Sequence, residues 1–494
     1  MTSPADAAPG GPQPSPLAPA WLEVPADPNG LSAHIWPRTA QRDEEGRLEI
    51  GGLAATALAE RFGTPLQVLD EADVRGRMRE AKAAFDEAFG AIGTTATVYY
   101  AGKAFLSADV ARWAEEAGLG LDVASGGELA VALAAGFPAH RIGFHGSNKS
   151  VAEIERAVEA GVGTIIVDSR EELGRVARAA AERGVAQRIR LRVSSGIHAS
   201  THSYLATAHE DQKFGFRLAE LDALAELVRG AEGLDLVGLH SHIGSQIFEA
   251  GGFRAAAERL MEAQARLGRI LGAELPELNL GGGFGIAYVE HERPLELAMM
   301  AQRLAAAVAE VCARLEVAPP RMAFEPGRSL IGPGGVTIYE VGTVKPVEVV
   351  FEQAADAPAD APRTAVRRYV SVDGGMSDNA RPALYEADYT VRLASRASEA
   401  APALVRVAGK HCESGDLVVL ADYLPEVVRP GDLVAVPATG AYCWSLSSNY
   451  NLLPRPAIVA AREGEARVVI RRETIDDLLA RDAGIEPTTT GSPA

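Results

Sequence analysis

The sequence contains few cysteines and no pattern that would join them. Three are present, Cys312, Cys412 and Cys443, and none belongs to a Cys-x-x-Cys pair. Disulfide frameworks and zinc ribbons need paired or closely spaced cysteines, so neither is indicated. This cysteine usage favours a reducing compartment, and we expect a cytoplasmic protein.

Positive charge and long apolar segments are also scarce. The chain carries 48 Lys and Arg against 66 Asp and Glu, a net charge of -18. Binding to the phosphates of nucleic acids or anionic membranes needs clustered Lys and Arg, so we expect neither partner. The sequence has no uninterrupted run of about 18 apolar residues, the length needed to cross a bilayer. The N-terminus also lacks the basic and apolar regions of a signal peptide.

What is present is typical of a globular protein with more than one core. The 494 residues are 47% hydrophobic and 23% charged, which is enough for two or three domains. Residues 1–20 are rich in Ala, Pro, Gly and Ser, which predicts a disordered tail. Residues 21–69 are expected to lead into the main domain, with packing against a later β domain as an option, and residues 481–494 to form a flexible tail.

Short apolar runs alternate with helical patterns from residue 95 onward. Helices over such segments as 151–160, 253–271 and 295–315 separate the runs, and strands that alternate with helices pair in parallel. Eight such units predict an α/β fold with a (β/α)8 TIM barrel over residues 70–328; an open doubly wound sheet is the alternative, but no Rossmann fingerprint marks one. The eight runs are 95–100, 119–123, 142–145, 164–168, 189–193, 236–240, 277–280 and 322–324.

The pattern changes after the barrel. Runs typical of strands follow one another with little helix between them, which predicts a mainly β C-terminal domain over residues 329–480. Residues 352–363, rich in Ala, Pro and Asp, are predicted to be a surface loop. Within the barrel, residues 194–216 are long and polar with His198, His202 and His209, and such length is typical of a functional loop.

Lys103 is the first candidate for chemistry. It follows the run 95–100 directly and precedes a helical pattern, so it is expected at the carboxyl end of the first barrel strand. There its amine could act as a nucleophile toward a carbonyl or a pyridoxal cofactor. An ordinary surface lysine is the simpler interpretation of this residue taken alone.

Glycine-rich and charged motifs follow the last two strands. Gly281, Gly282 and Gly283 come after the seventh, and Glu325-Pro326-Gly327-Arg328 after the eighth. Barrels often bind phosphate with the loops after these strands, and glycine exposes the backbone amides that do so. A plain tight turn would be preferred for an isolated Gly-Gly-Gly, and its place after strand seven reverses that preference.

His240 and His242 lie around the end of the sixth strand. A metal is the minority interpretation, because no third ligand lies nearby in sequence, and we expect none. One imidazole could instead stack on a planar cofactor ring, with Ser245 bonding a phosphate. Glu325 could pair with a ring nitrogen and keep a pyridinium protonated, or could simply form a salt bridge with Arg328.

Seven motifs in order make a resemblance specific. The sequence resembles the diaminopimelate decarboxylases, members of the alanine-racemase-like, fold type III pyridoxal phosphate family, from about residue 51 to residue 479. The motifs are Tyr100-Ala101-Gly102-Lys103-Ala104, His240-Ser241-His242-Ile243-Gly244-Ser245-Gln246, Gly281-Gly282-Gly283, Glu325-Pro326-Gly327-Arg328, Asp373-Gly374-Gly375-Met376-Ser377-Asp378-Asn379, Gly409-Lys410-His411-Cys412-Glu413-Ser414-Gly415-Asp416 and Gly440-Ala441-Tyr442.

The resemblance implies roles for matching residues. Lys103 would hold pyridoxal 5'-phosphate covalently and His242 would stack on its ring. The remaining cofactor contacts would be Ser245, Gly281, Gly282, Gly283, Glu325, Pro326, Gly327, Arg328 and Tyr442. The substrate contacts would be Arg328, Arg381 and Tyr385 for the distal carboxylate, Glu413 for the distal ammonium, and Tyr442.

The resemblance further implies a homodimer with a shared active site. Cys412 and Glu413 would reach into the partner's barrel, and Cys412 would protonate Cα after carbon dioxide leaves. The expected reaction converts meso-2,6-diaminopimelate to L-lysine. Cys412 could otherwise be a small buried hydrophobe, as free cysteines often are.

Three alternatives remain at this stage. A sister decarboxylase acting on ornithine, arginine or carboxynorspermidine would share Lys103 and the glycines, whereas a simple diamine precursor has no distal carboxylate that needs Arg381. An amino-acid racemase would use a tyrosine base and a shorter chain. A non-catalytic cofactor-binding protein would usually be a barrel alone.

Overall fold

The computed structural model describes residues 14–197, 213–352 and 362–485. Outside these ranges lie residues 1–13 and 486–494 of the predicted tails, the histidines His198, His202 and His209, and most of the 352–363 segment. The chain divides into two compact units. The first comprises Met1–Asp73, Tyr288–His291 and Pro333–Ala494, and the second comprises Val74–Ala287 and Glu292–Gly332.

The N-terminal segment supplies short elements to the first unit. Residues 14–20, assigned to a tail from composition, form turns, and the Ser15 amide donates to the Tyr423 hydroxyl at 3.3 Å. The first three strands of the segment, β1 to β3, then form a small antiparallel sheet. The elements are β1 (Gln41–Arg42), β2 (Leu48–Ile50), β3 (Leu53–Ala54), α1 (Ala55–Phe62) and β4 (Leu66–Asp70).

Helices and strands alternate through the second unit, as the apolar runs predict. The elements, of which α2 begins at the end of the first unit, are α2 (Glu71–Gly90), β5 (Ala96–Ala101), α3 (Ala108–Glu116), β6 (Gly120–Val123), α4 (Gly126–Ala134), β7 (Ile142–Phe144), α5 (Val151–Glu159), β8 (Thr164–Val167), α6 (Arg170–Arg183), β9 (Gln187–Ser194), β10 (Phe216–Arg217), α7 (Leu221–Arg229), β11 (Leu234–His240), α8 (Gly251–Leu271), β12 (Glu277–Asn279), α9 (Leu297–Leu315), β13 (Arg321–Phe324) and α10 (Arg328–Ile331).

The strands β5 to β9 and β11 to β13 form a closed ring. Every neighbouring pair is parallel; β13 pairs with β5 and β8 pairs with β9, so the ring has no open edge. Its strands are short and largely buried on both faces, as parallel strands covered by helices must be. The predicted (β/α)8 barrel is therefore confirmed.

Serine N-caps fix where the first four helices after barrel strands begin. Ser107, Ser125, Ser150 and Ser169 each accept a hydrogen bond from the amide three residues later, at the starts of α3, α4, α5 and α6. A side-chain oxygen at this position satisfies an amide that the helix itself cannot pair. Because each cap lies within six residues of the preceding strand, the residues between them are held at the carboxyl-end rim of the barrel.

The C-terminal part of the first unit is mainly β, as predicted. Its main sheet runs in the order β18-β17-β15-β14-β4-β20-β21, with β19 and β16 attached to β14. The N-terminal strand β4 lies between β14 and β20, antiparallel to the first and parallel to the second. The elements are β14 (Gly335–Val350), β15 (Thr364–Val372), α11 (Arg381–Tyr385), β16 (Arg392–Leu393), β17 (Pro402–Ala408), β18 (Leu417–Pro425), β19 (Leu433–Pro437), β20 (Ala457–Arg462), β21 (Glu465–Ile470) and α12 (Ile475–Leu479).

Among the described helices, none is both long and apolar enough to cross a membrane.

A buried ion pair in the barrel generates a stability prediction. Lys149 is 3% exposed and donates to Glu172 and to the carbonyls of Gly146 and Ile166. Lys149→Ala leaves Glu172 as a buried charge, and we expect the free energy of unfolding to fall by about 3–5 kcal/mol in urea denaturation. The control is Lys82→Ala, which removes a partly exposed pair with Asp86 and should cost less than about 1 kcal/mol. Equal losses in the two variants would contradict the expectation.

Candidate active site

Lys103 lies in a short 3-10 turn immediately after β5, as predicted. The turn is fixed at its flanks: the buried Tyr100 hydroxyl donates to the Phe105 carbonyl at 2.5 Å, and the Ala101 amide donates to the Pro326 carbonyl at 3.1 Å. Lys103 itself is exposed. Its amine is therefore available at the rim, beside the segment that follows the eighth barrel strand.

Three glycines after β12 allow close approach of neighbouring strand ends. A Cβ on Gly282 would lie 2.0 Å from the Glu325 carbonyl oxygen, and one on Gly283 would lie 2.2 Å from the Gly244 carbonyl oxygen. Gly281 and Gly283 also have φ values of 68° and 102°, in the region that favours glycine. Larger residues would push this turn away from its neighbours, so the glycines are required by packing as well as by any ligand.

Polar groups already engage part of this turn. The Gly281 amide donates to Asn279 Oδ1 at 2.8 Å, and the Gly282 amide to His242 Nδ1 at 3.3 Å. Beside it, Arg328 donates to the Ser245 hydroxyl at 3.1 Å. The bond from Gly282 orients the His242 ring. The bond between Arg328 and Ser245 brings together two predicted phosphate-site residues from different loops.

Glu325 is the centre of a buried polar cluster. Its Oε1 lies 3.2 Å from His145 Nε2, 3.2 Å from His240 Nε2 and 2.7 Å from Asn279 Nδ2. These contacts hold the Glu325 carboxylate among side chains from the ends of other barrel strands. His145, His240 and Glu325 place nitrogen and oxygen atoms within 4.8 Å of one another, and each of the two rings lies at ion-pair distance from the carboxylate. The expectation that the chain uses no metal stays a prediction.

Electrostatics assign different charges to the histidines of this cluster. Burial disfavours the His145 imidazolium, yet Glu325 and Asp122 outweigh burial and raise its pKa to about 9. Burial lowers the pKa of His240 to about 4 despite Glu325, and burial together with Lys103 holds the pKa of His242 well below its usual value. At neutral pH His145 is therefore charged, whereas His240 and His242 are neutral.

Glu325 remains ionised in these surroundings. Burial alone would raise its pKa, but His145 and His240 hold the pKa well below its usual value. Asp122, which approaches the same nitrogen of His145, behaves differently because burial and the neighbouring Glu325 raise its pKa to about 6. An exposed amine, a close-packed glycine turn and a buried carboxylate thus meet at one barrel mouth, which is the set that a pyridoxal phosphate needs.

The remaining predicted residues belong to the other compact unit. Arg381 is 5% exposed; it donates to the Tyr389 hydroxyl at 2.6 Å and lies over the Tyr288 ring, 4.4 Å from its centroid. Tyr385, four residues on, is 65% exposed. Tyr442 has a left-handed φ of 64°. The guanidinium of Arg381 is therefore held in a fixed orientation by two tyrosines.

Cys412 differs from the other two cysteines. It is exposed, whereas Cys312 and Cys443 are buried, so its interpretation as a small buried hydrophobe is wrong. Its amide donates to Asn451 Oδ1 at 3.3 Å. The neighbouring Glu413 is also exposed and accepts a hydrogen bond from the Gly415 amide.

Three residues of this cluster belong to none of the sequence motifs described above. Asp122 lies in β6, His145 directly follows β7, and Asn279 ends β12. Each occupies the carboxyl end of a barrel strand, where barrel active sites lie. Inspection of every strand end for polar residues, rather than of recognisable motifs alone, would have found them.

Comparisons with known proteins agree with this geometry. Residues 71–332 match the family model for the pyridoxal binding domain of pyridoxal-dependent decarboxylases, and residues 333–440 match the model for their C-terminal sheet domain. The chain is 50% identical over 456 residues to the diaminopimelate decarboxylase of Mycobacterium tuberculosis, covering 91% of this chain and 98% of that protein. It is 44% identical to the Bacillus subtilis diaminopimelate decarboxylase, covering 90% and 97%.

A solved structure gives the same result. The crystal structure of the M. jannaschii diaminopimelate decarboxylase in complex with L-lysine aligns with a TM-score of 0.79 at 30% identity, covering 91% of this chain and 98% of that one. The two matched ranges together span residues 71–440, and the relatives are covered almost end to end. The chain therefore belongs to the pyridoxal-phosphate-dependent decarboxylases and, among them, to the diaminopimelate decarboxylase family.

Proposed function

We propose that the chain removes the D-centre carboxylate of meso-2,6-diaminopimelate to give L-lysine and carbon dioxide, the last step of lysine biosynthesis. The observation that carries the proposal is the meeting of Lys103, His242 and Glu325 at one barrel mouth, in a chain 50% identical to a diaminopimelate decarboxylase. A related decarboxylase of ornithine, arginine or carboxynorspermidine is the second candidate, because it would share these three residues.

The barrel residues would hold the cofactor. When bound, pyridoxal phosphate supplies an electron sink for the bond that breaks. Lys103 would hold it through the exposed amine and release it to the amine of the substrate. The neutral imidazole of His242 would pack on the face of the ring, and the ionised Glu325 would accept a hydrogen bond from the ring nitrogen.

The phosphate would lie against the loops after the sixth, seventh and eighth strands. Ser245 and Arg328 are already hydrogen-bonded to each other and supply a hydroxyl and a positive charge. The glycine turn lets backbone approach closely because no Cβ intervenes. The proposed contacts from these loops are Ser245, Gly281, Gly282, Gly283, Pro326, Gly327 and Arg328, joined by Tyr442 from the other unit.

Arg381 would select the substrate by its distal carboxylate. A guanidinium presents a planar fork that binds a carboxylate through two parallel hydrogen bonds. The contacts with Tyr389 and Tyr288 fix the plane of that fork before substrate arrives. Arg328 and Tyr385 would share this carboxylate, Glu413 would accept from the distal ammonium, and Tyr442 would contact both substrate and cofactor.

Cys412 would donate the proton that replaces the lost carboxylate, within a homodimer whose subunits share their sites. Its thiol is exposed, as a group that reaches into another subunit must be. The same unit exposes several large apolar side chains, and exposed apolar surface of this kind is typical of interfaces. They are Leu384 at 59%, Tyr385 at 65%, Tyr450 at 41% and Leu452 at 73%. We also propose a cytoplasmic location, which the cysteine usage supports.

The substrate is tested by carbon dioxide release from purified protein with added pyridoxal phosphate. We expect release from meso-diaminopimelate, with L-lysine as product, and none from L-ornithine, L-arginine, carboxynorspermidine or L-lysine. Lys103→Ala is the control, and it should lose both activity and the visible absorbance of the bound cofactor. Release from one of the other amino acids instead would support the second candidate.

Replacement of Arg381 tests its role in selecting the distal carboxylate. For Arg381→Ala we expect kcat/KM with diaminopimelate to fall by at least about 30-fold, because loss of a buried charged partner costs about 2 kcal/mol or more. Arg381→Lys should recover little of this, since an ammonium lacks the planar fork. The exposed Arg471→Ala serves as the control. Wild-type kinetics in Arg381→Ala, with the cofactor bound, would remove the basis for this assignment.

A mixing experiment tests the shared site. Lys103→Ala and Cys412→Ala are each expected to be almost inactive, because each lacks one of the two reacting side chains. If the sites are shared, a mixed dimer contains one site with both residues intact, so co-refolding the two variants should restore part of the activity. A mixture that forms mixed dimers but gains no activity would place Lys103 and Cys412 of a single subunit in the same site.

A further inference from the structure

At the candidate cofactor site, two buried carboxylates approach the same ring nitrogen of one histidine and form a charged cluster with it. His145 Nε2 is 3.2 Å from Glu325 Oε1 and 3.4 Å from Asp122 Oδ1. The three side chains are 11%, 8% and 8% exposed. They come from the ends of three different strands, so barrel closure is what brings the three side chains together.

His145 provides the positive charge in direct contact with Glu325. The other two contacts of that carboxylate are Asn279, which is an uncharged amide, and His240, whose ring is neutral at pH 7 because burial lowers its pKa to about 4. Without His145, Glu325 would be a buried carboxylate among neutral partners. Burial then favours the protonated acid.

The other charged groups near the cluster of Asp122, His145 and Glu325 act from a greater distance or on other residues. Arg190 lies near Asp122, Arg192 near Glu325 and His240, and Lys103 near His242, where each shifts the titration of its neighbour. Arg190 is also paired with Glu277 at 2.8 Å. Among the described residues, the imidazole of His145 is the charged group at ion-pair distance from the Glu325 carboxylate.

Backbone contacts hold His145 in place. Its amide donates to the Val123 carbonyl at 2.7 Å, and a Cβ on the next residue, Gly146, would lie 2.3 Å from the Ala124 carbonyl oxygen. Such a cluster is costly for stability, because replacing buried ion pairs by apolar side chains is often neutral or stabilising. A barrel interior is ordinarily filled by Val, Ile and Leu, so the charges at this position point to a chemical role.

We infer that His145 is a positioning residue: its imidazolium, held by Asp122, keeps Glu325 ionised, and Glu325 thereby keeps the pyridine nitrogen of the cofactor protonated. The inference rests on the proposed role of Glu325. In this arrangement Asp122, His145 and Glu325 keep their protonation states unchanged during the reaction. The imidazolium would act by its charge and by the orientation it gives to the carboxylate, and a cofactor held protonated by Glu325 would supply the electron sink.

The test measures the ring nitrogen itself. Holoenzyme is reconstituted with pyridoxal phosphate labelled with 15N in the ring, and the 15N chemical shift is followed against pH for wild type and His145→Asn. Glu325 would lose an opposite charge 3.2 Å away, which usually raises a carboxyl pKa by about one unit or more, so we expect the ring nitrogen that it holds to lose its proton at a correspondingly lower pH. The kcat of the variant should fall about 10-fold, since one pKa unit corresponds to a factor of ten, with KM little changed.

The control is His140→Asn, the same substitution at the other end of β7, where the histidine is exposed. In this control variant the ring nitrogen should lose its proton at the same pH as in the wild type. A wild-type 15N titration in His145→Asn at full cofactor occupancy would overturn the inference. If that variant does not fold or bind the cofactor, Asp122→Asn decides, because it leaves the imidazole in place: a smaller shift in the same direction supports the inference, and an unchanged curve overturns it.

Glu325→Gln separates this inference from the function on which it rests. If Glu325→Gln lowers the pH at which the ring nitrogen loses its proton and His145→Asn does not, the role of Glu325 stands and that of His145 fails. If neither variant changes it, the role proposed for Glu325 itself is wrong.

Discussion

The ionised carboxylate of Glu325, buried inside a closed barrel, is the constraint on which the rest of the site depends. A lone buried carboxylate would take up a proton, so it needs charged and hydrogen-bonding partners from neighbouring strands. His145, His240 and Asn279 supply them from the ends of three other strands. Barrel closure is therefore a chemical requirement as well as a topological one, since an open sheet would not bring these strands together.

The glycine turn and the acid form one packed arrangement. Gly282 approaches the backbone of Glu325 so closely that even a methyl group would collide with it. Asn279 joins the two parts, because it accepts from the Gly281 amide and donates to the Glu325 carboxylate. Displacement of the turn would therefore disturb the carboxylate, so the sites proposed for the phosphate and for the ring nitrogen of pyridoxal phosphate share one packed backbone.

Much of the fold and part of the site followed from local signals. Each buried strand is a short apolar run, each of the first helices after them starts at a serine cap, and Lys103 lies where the change from strand to helix placed it. The predictions fell short where partners are distant in sequence. Asp122 and His145 belong to none of the recognised motifs, and Tyr288, whose ring lies against Arg381, precedes it by 93 positions.

The sequence by itself determined the alternation of strands and helices, the position of each motif at a strand end, and membership of a decarboxylase family, because these depend on periodicity and on residues that are neighbours in the chain. Only the tertiary structure decided which charges survive burial. Glu325 lies 3.2 Å from both rings, and His145 is an imidazolium while His240 is neutral because a second carboxylate, that of Asp122, lies 3.4 Å from His145. Coulomb interactions depend on distance through space, which the order of residues alone does not specify.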